Sequence, residues 1–410
     1  MEQFDVVVVG GGIAGSSIAA ALAPAGVSVL VLERQTTYRD KVRGEYMQPW
    51  GVAEMLRLGL EQTLLEAGGG YTNAFVTYGE HIDPVTAEAS AIPLGMLLPD
   101  VPGAMCVGHP QASEALNTLA QQRGAHIVRG VGDVDVIAAP DTSPIVRYEF
   151  DGIVYEVPCR LVIGADGRQS TVRRALGIPL AQIESRATLG GLLVKDADWG
   201  SDAAFLGNEG NRHFLAFPRP NGYVRLYLAC EPGPATAGPE RTQHMLDAFR
   251  LECVPNSERL ANAQPAGPCS FYVGTDAWTD RPMADGVVLV GDAAGWSDPL
   301  IGEGLSVAMR DARAVTDVLL AGDDWSAATF EGYAQERSER MRRLRVVVHV
   351  ATELRCTFTP EGQARRVAFS GQMMSDGLML GLMLSSLAGP EMGPAESFEA
   401  ENVQRILALA

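Results

Sequence analysis

Phe4-Asp-Val-Val-Val-Val-Gly10-Gly-Gly-Ile-Ala-Gly15 is the stretch on which the fold turns. Its first half is a short valine-rich run, the pattern of a strand buried on both faces of a parallel sheet. Gly10, Gly12 and Gly15 follow at once in GxGxxG spacing, and Ile13 to Leu22 are good helix formers. Val27 to Leu32 then reads as a second buried strand ending at Glu33, with Arg34 beside it. The result is a complete strand-turn-helix-strand unit. Gly10 permits the tight turn, Gly12 lets backbone approach a pyrophosphate, and Gly15 lets helix pack on strand. Ile13 and Ala14 open a helix whose free N–H groups and partial positive charge suit phosphate. Glu33 lies at the right distance to accept hydrogen bonds from an adenosine ribose. The unit therefore predicts a bound dinucleotide but does not choose between NAD and FAD.

The remaining composition narrows the class. A length of 410 residues implies two or three domains at about 150 residues each. With 47% hydrophobic and 20% charged residues, disorder over most of the chain is excluded. Acids outnumber bases 50 to 32, a net charge of −18, which argues against nucleic-acid binding and against adhesion to anionic lipid. Lys41 and Lys195 are the only lysines. The six cysteines show neither CxxC pairing nor zinc-site spacing, and the start has no basic signal-like region. The expected setting is the cytoplasm, with reduced thiols. The longest apolar stretch, Leu378 to Leu387, falls short of the roughly 20 residues a bilayer requires, so no transmembrane segment is expected.

Two more buried strands end in acidic turns. Leu161-Val-Ile-Gly-Ala-Asp166-Gly167 is followed by Arg168; Val287-Val-Leu-Val-Gly291-Asp292 is followed by Pro299, Gly302, Gly304 and a helical run from Leu305. With Gly10 to Gly15, these motifs in this order resemble the FAD-dependent oxidoreductases of the para-hydroxybenzoate hydroxylase fold. That group includes single-component flavoprotein monooxygenases, geranylgeranyl-reductase-like flavoproteins and flavin-dependent halogenases. The resemblance covers residues 1 to about 345.

The resemblance implies an α/β protein: a Rossmann-like FAD-binding domain with an inserted antiparallel β-sheet substrate domain and a helical C-terminal region. The expected division is 1–70, 103–177 and 271–345 for FAD binding, 71–102 and 178–270 for the substrate sheet, and 346–410 for the helical end. It further implies that Asp292 binds the ribityl chain. The helix after Gly304, with Pro299, Gly302 and Leu305, would point its N-terminus at the flavin's pyrimidine side. Asp166 would serve FAD and a passing NADPH or NADH. Arg43-Gly44-Glu45 occupies the segment where the family places an FAD-contacting arginine. His109 is a departure, standing where the family often has Arg or Gln at the start of a helix; it is kept as an FAD neighbour.

Short β-like runs at Arg186–Lys195, Ala203–Leu206, His213–Phe217 and Tyr223–Ala229 suit the substrate sheet. Phe205, His213, Phe217, Tyr223, Arg225 and Tyr227 are its pocket candidates, with the inward face left open. The helical run from Ala327 carries a basic stretch, Arg340 to Arg345, expected on a solvated or salt-bridged face. The methionine-rich Leu378 to Leu384 suits core or a pocket cap.

The resemblance favours a monooxygenase, a hydroxylase or epoxidase. It would use NAD(P)H and O2 through a flavin hydroperoxide on an apolar or aromatic small molecule, a possible biosynthetic intermediate. No catalytic triad is needed, since the flavin carries the chemistry. The alternative is an FAD-dependent reductase or dehydrogenase of a carbon–carbon double bond, because Gly295, Ser306 and the Asp298 to Gly304 segment read closer to the geranylgeranyl-reductase side. Halogenase is disfavoured by the missing WxWxIP motif and by the positions of the two lysines. A binding scaffold of the Rab-escort kind is disfavoured by the intact Gly10–Gly15, Glu33 and Asp292 set. No metal site is expected.

Overall fold

The computed structural model describes residues 3–42, 44–138, 142–200, 202–231 and 234–409, with the side chains of 184–186 and 234–235 left aside. Arg43, expected beside the cofactor, lies outside the described residues.

The protein is a mixed α/β structure built on two large sheets. In the first, the order is Met283–Ala284, Val287–Leu289, Ile153–Gly164, Phe4–Val9, Val29–Glu33, His126–Arg129. All neighbours are parallel except the outermost Met283–Ala284 pair. Val6, Val7 and Val8 have no exposed surface. One face of this sheet packs on the helices Ile13–Leu22, His109–Gln122 and Gly304–Ala321, while the other packs on residues such as Val146 and Tyr148 of the antiparallel Ile145–Phe150 strand. Burial on both sides is why these strands are valine-rich rather than alternating.

The second sheet runs Gly295–Trp296, Ser270–Trp278, Ala181–Lys195, Tyr223–Cys230, Arg212–Arg219, Ala204–Glu209, Ala74–Gly79, Ile92–Pro93. Its centre is antiparallel. One pair differs from the expectation of a wholly antiparallel sheet: Ala74–Gly79 and Ala204–Glu209 are parallel. The chain between them runs through the first sheet, so no hairpin constrains their direction. Ser270–Trp278, which the expected division at 270/271 cuts, also pairs within this sheet.

The Glu331–Arg355 helix lies against one face of the second sheet through Leu344, Val347 and Leu354. Helices Pro360–Met373 and Gly377–Ala388 follow, bent by 96° at their junction. No single helix among the described residues is long and apolar enough to cross a membrane. All six cysteines are free.

The basic run is not a surface face throughout. Arg340 is buried, as is Arg337 one turn earlier. Asp311, with no exposed surface, accepts from Arg337 Nε at 2.9 Å and from Arg340 Nη2 at 2.7 Å. Burial works to raise the Asp311 pKa, but the two guanidiniums outweigh it and hold the carboxyl below its ordinary range. A depressed acid stabilises the fold above its unfolded pKa and loses that contribution as pH falls through the folded value. Replacing Asp311 leaves the buried Arg337 without a carboxylate partner and Arg340 with Glu336 alone. We expect Asp311→Ala to lower the unfolding free energy by about 3–5 kcal/mol in chemical denaturation at pH 7, and the difference from wild type to shrink as the pH is taken below 4.

Candidate active site

Three adjacent parallel strands end side by side. Val9 is in register with Gly164, and Gly164 with Leu289. The turns that follow, Gly10–Gly15, Asp166–Gly167 and Gly291–Asp292, therefore meet at the carboxyl edge of the sheet, where open α/β folds bind ligands. Gly10 has φ +107°, and a Cβ there would meet the Ala165 carbonyl at 2.4 Å. A Cβ on Gly15 would meet the Gly10 carbonyl at 2.0 Å. Gly12 is different: a Cβ there would meet nothing within 4 Å and would project into an open cleft. The first two glycines let backbones touch, and the third keeps a space clear at a helix N-terminus.

The cleft holds about 1170 Å³. Gly10, Gly12, Ile13, Ala14, Glu33, Arg34, Gly44, His109, Asp166, Asp292, Pro299, Gly302, Gly304 and Leu305 all border it; Gly15 sits behind, at the helix–strand contact. Glu33 is buried and already accepts from the backbone N–H groups of Gly11 at 2.8 Å and Gln35 at 2.7 Å. Each carboxylate oxygen retains a further acceptor site. One Asp166 oxygen accepts from the Thr171 N–H at 2.6 Å, securing the Thr171–Ala175 helix, while Oδ1 has no partner. Asp292 is partly exposed and receives Arg168 Nε at 3.3 Å. An open glycine, a helix N-terminus and carboxylates with spare acceptor capacity fit the dinucleotide FAD.

The six sheet candidates divide by side-chain parity. Phe217 and Tyr227 face the cleft, their rings 5.8 Å apart, and Tyr46 stacks on Phe217 at 4.4 Å. Phe205 points to the opposite face, into a core with Phe214 and Trp199. Tyr223 lies under the Arg219 guanidinium at 5.8 Å, outside the cleft wall. Arg225 is buried and donates from Nη2 to Asp40 and Glu45, each at 2.6 Å. His213 is fully buried beneath Asn208, its Nδ1 3.1 Å from Asn208 Oδ1. Burial and the nearby Arg355 hold the His213 pKa well below its ordinary value.

Some residues at the cleft carry no sequence motif. Asn117 donates to the Gly11 carbonyl at 2.7 Å and to Ser16 Oγ at 2.6 Å, fixing the glycine turn. Arg337 donates to the carbonyls of Gly291, Ala294 and Gly295, fixing the turn that bears Asp292. Glu303, at the start of the Gly304–Ala321 helix, is buried on the cleft wall and accepts from Trp50 Nε1 at 3.0 Å. Its Oε1 has no partner. Burial pushes the Glu303 pKa well above its ordinary value, opposed only by the Trp50 hydrogen bond. Among the described residues no group of His, Cys, Asp or Glu is placed to hold a metal.

This fold and cleft define a flavin-dependent oxidoreductase. The sequence matches the FAD binding domain family over residues 3–346, and the chain belongs to it. It is 26% identical over 325 residues to rifampicin monooxygenase of Streptomyces venezuelae, covering 76% of this chain and 62% of that protein's length. It is 29% identical over 342 residues to digeranylgeranylglycerophospholipid reductase 1 of Methanococcoides burtonii, covering 81% of this chain and 79% of the reductase. The structure of p-nitrophenol 4-monooxygenase PnpA from Pseudomonas putida superposes with a TM-score of 0.76 at 19% identity, covering 100% of this chain and 99% of that one, a likeness of fold.

Two outcomes test the site. Gly12 has extended backbone that any residue adopts, so Gly12→Leu should fold while filling the cleft. Purified Gly12→Leu is expected to be colourless, with the far-UV circular dichroism and melting curve of flavin-stripped wild type. For Glu303, an acid whose pKa is raised on folding destabilises progressively as pH rises from its unfolded value. Glu303→Gln escapes that loss. Its melting temperature should gain on wild type between pH 5 and pH 8, and a constant difference across that range would show Glu303 ionised.

Proposed function

We propose that the protein is a monooxygenase, a hydroxylase or epoxidase. It takes electrons from NADPH or NADH and delivers one oxygen atom of O2 to an apolar or aromatic small molecule, a biosynthetic intermediate by class. The observation that carries this reading is the continuity of the cleft. It runs from the glycine-lined nucleotide end to an apolar chamber between the second sheet and the C-terminal helices. When bound, FAD supplies the two-electron reduction and the activation of O2 that the reaction requires.

The chain's own residues bind, orient and exclude water. Gly12 and the helix behind it offer N–H groups to the pyrophosphate, Glu33 the ribose acceptor, and Asp292 the acceptor for the sugar-alcohol chain. The N-terminus of Gly304–Ala321 favours negative charge beside the ring system. The upward shift of the Glu303 pKa by burial reduces its opposition to that field. Tyr46, Phe217 and Tyr227 make a dry wall, and Met373, Met383 and Leu384 close the opposite side. Only one GxGxxG is present, so the nicotinamide cofactor docks transiently in this scheme.

Reduction of a carbon–carbon double bond is the second reading, favoured by the likeness to the archaeal reductase. Oxygen dependence separates the two. With a turned-over substrate, NADPH oxidation should be matched by O2 uptake, and 18O from labelled O2 should appear in product. Product formed anaerobically at the same rate, with no label, would establish the reductase.

A further inference from the structure

Charges on the cleft wall are distributed unevenly. Glu33, Asp166 and Asp292 border the strand ends, while Glu45 and Glu303 are already engaged by Arg225 and Trp50. In the apolar chamber the position is reversed. Arg355, the last residue of the Glu331–Arg355 helix, lines it beside Leu354, Ala351 and Phe369. Among the described residues no carboxylate pairs with Arg355 and no oxygen accepts from its guanidinium. Arg366 also lines the cleft, and its Nη1 donates to the carbonyls of Leu354 and Thr357, at 3.1 and 2.8 Å. Asn208 Nδ2 donates to the Arg355 carbonyl at 2.7 Å, so the end of the helix is braced while its side chain is left without an acceptor.

Arg355 is half-buried, so its guanidinium is partly desolvated. Burial lowers the Arg355 pKa to about 10, which leaves it protonated at neutral pH. His213 is kept neutral nearby and adds no second positive charge. An unpaired guanidinium in apolar surroundings is compensated best by a planar anion that accepts from both of its prongs.

We propose that Arg355 anchors the acidic group of the substrate, so that the substrate class is an apolar organic anion such as an aromatic carboxylate or an ionised enol. This rests on the reading of the apolar chamber as the substrate site. The helix wall from Val347 to Arg355 runs about 12 Å at the usual helical rise. A body of two or three fused or linked rings fits along it, with its anionic end at Arg355 and its far end toward Tyr227 and Pro299.

The test is calorimetric titration of the flavin-loaded enzyme with biphenyl-4-carboxylate and with biphenyl-4-carboxamide, its neutral counterpart. Wild type should bind the carboxylate more tightly by about tenfold or more. Arg355→Met should abolish that preference while leaving carboxamide affinity within about twofold. Arg355→Lys, which keeps the charge but loses the fork, should fall between and serves if the methionine variant does not fold. Arg281→Met, at an exposed site, should match wild type. Equal affinity of wild type for both compounds overturns the proposal. So does a preference that survives Arg355→Met, a lysine variant equal to wild type, or carboxylate binding too weak to detect at millimolar concentration. The titration uses neither NADPH nor O2, so its failure is distinct from failure of the oxygen-uptake experiment.

Discussion

A buried carboxylate between two guanidiniums holds the working parts of this protein in relation to one another. Asp311 sits on the helix that starts at the cleft beside Gly302, and Arg337 and Arg340 on the helix that walls the apolar chamber. Asp311 also accepts from the Gly291 N–H at 2.8 Å, and Arg337 reaches three carbonyls of the same turn. The turn carrying Asp292, the helix N-terminus beside it and the chamber wall are thus fixed through one cluster. Hydrophobic packing is non-directional and tolerates small sliding of helices. A hydrogen-bonded ion cluster does not, because a shifted partner leaves a buried charge unmatched.

A second such link joins the halves of the cleft. Glu45 follows the glycine at position 44 on the nucleotide side, and Arg225 rises from the middle of the second sheet. Burial works against the Arg225 charge, but Glu45 and Asp40 outweigh it and keep the guanidinium protonated. Arg219 approaches the same Glu45 oxygen at 3.3 Å. The second sheet and the segment after Gly44 are therefore pinned together at the cleft.

What could be read from the letters follows from what the backbone demands. The turns at Gly10 and Gly15 admit no side chain, so the requirement is written in the residue type itself. Strands buried on both faces are recognisable by their unbroken valine. The same double burial hid the inward face of the second sheet. Phe205 and Phe214 fill one side of it and Leu206, Leu215 and Phe217 the other, so apolar alternation is absent and parity cannot be assigned from composition. The Arg340 environment was illegible for another reason. Its partner Asp311 is on a different helix, and a basic run carries no sign of which member turns inward. Asn117, Glu303 and Arg355 are likewise ordinary letters at helical positions, given meaning only by what the fold brings near them.

The chamber's cover is a structural unit of its own. Its apolar side chains come from Phe369 to Leu387, on two helices joined by a short break and steadied where Arg405 pairs with Asp376. None of that stretch contributes a strand to either sheet or a residue to the Asp311 cluster. The Pro360–Ala388 stretch thus supplies the chamber's cover, while the glycine turns and the Asp311 cluster are built from other elements.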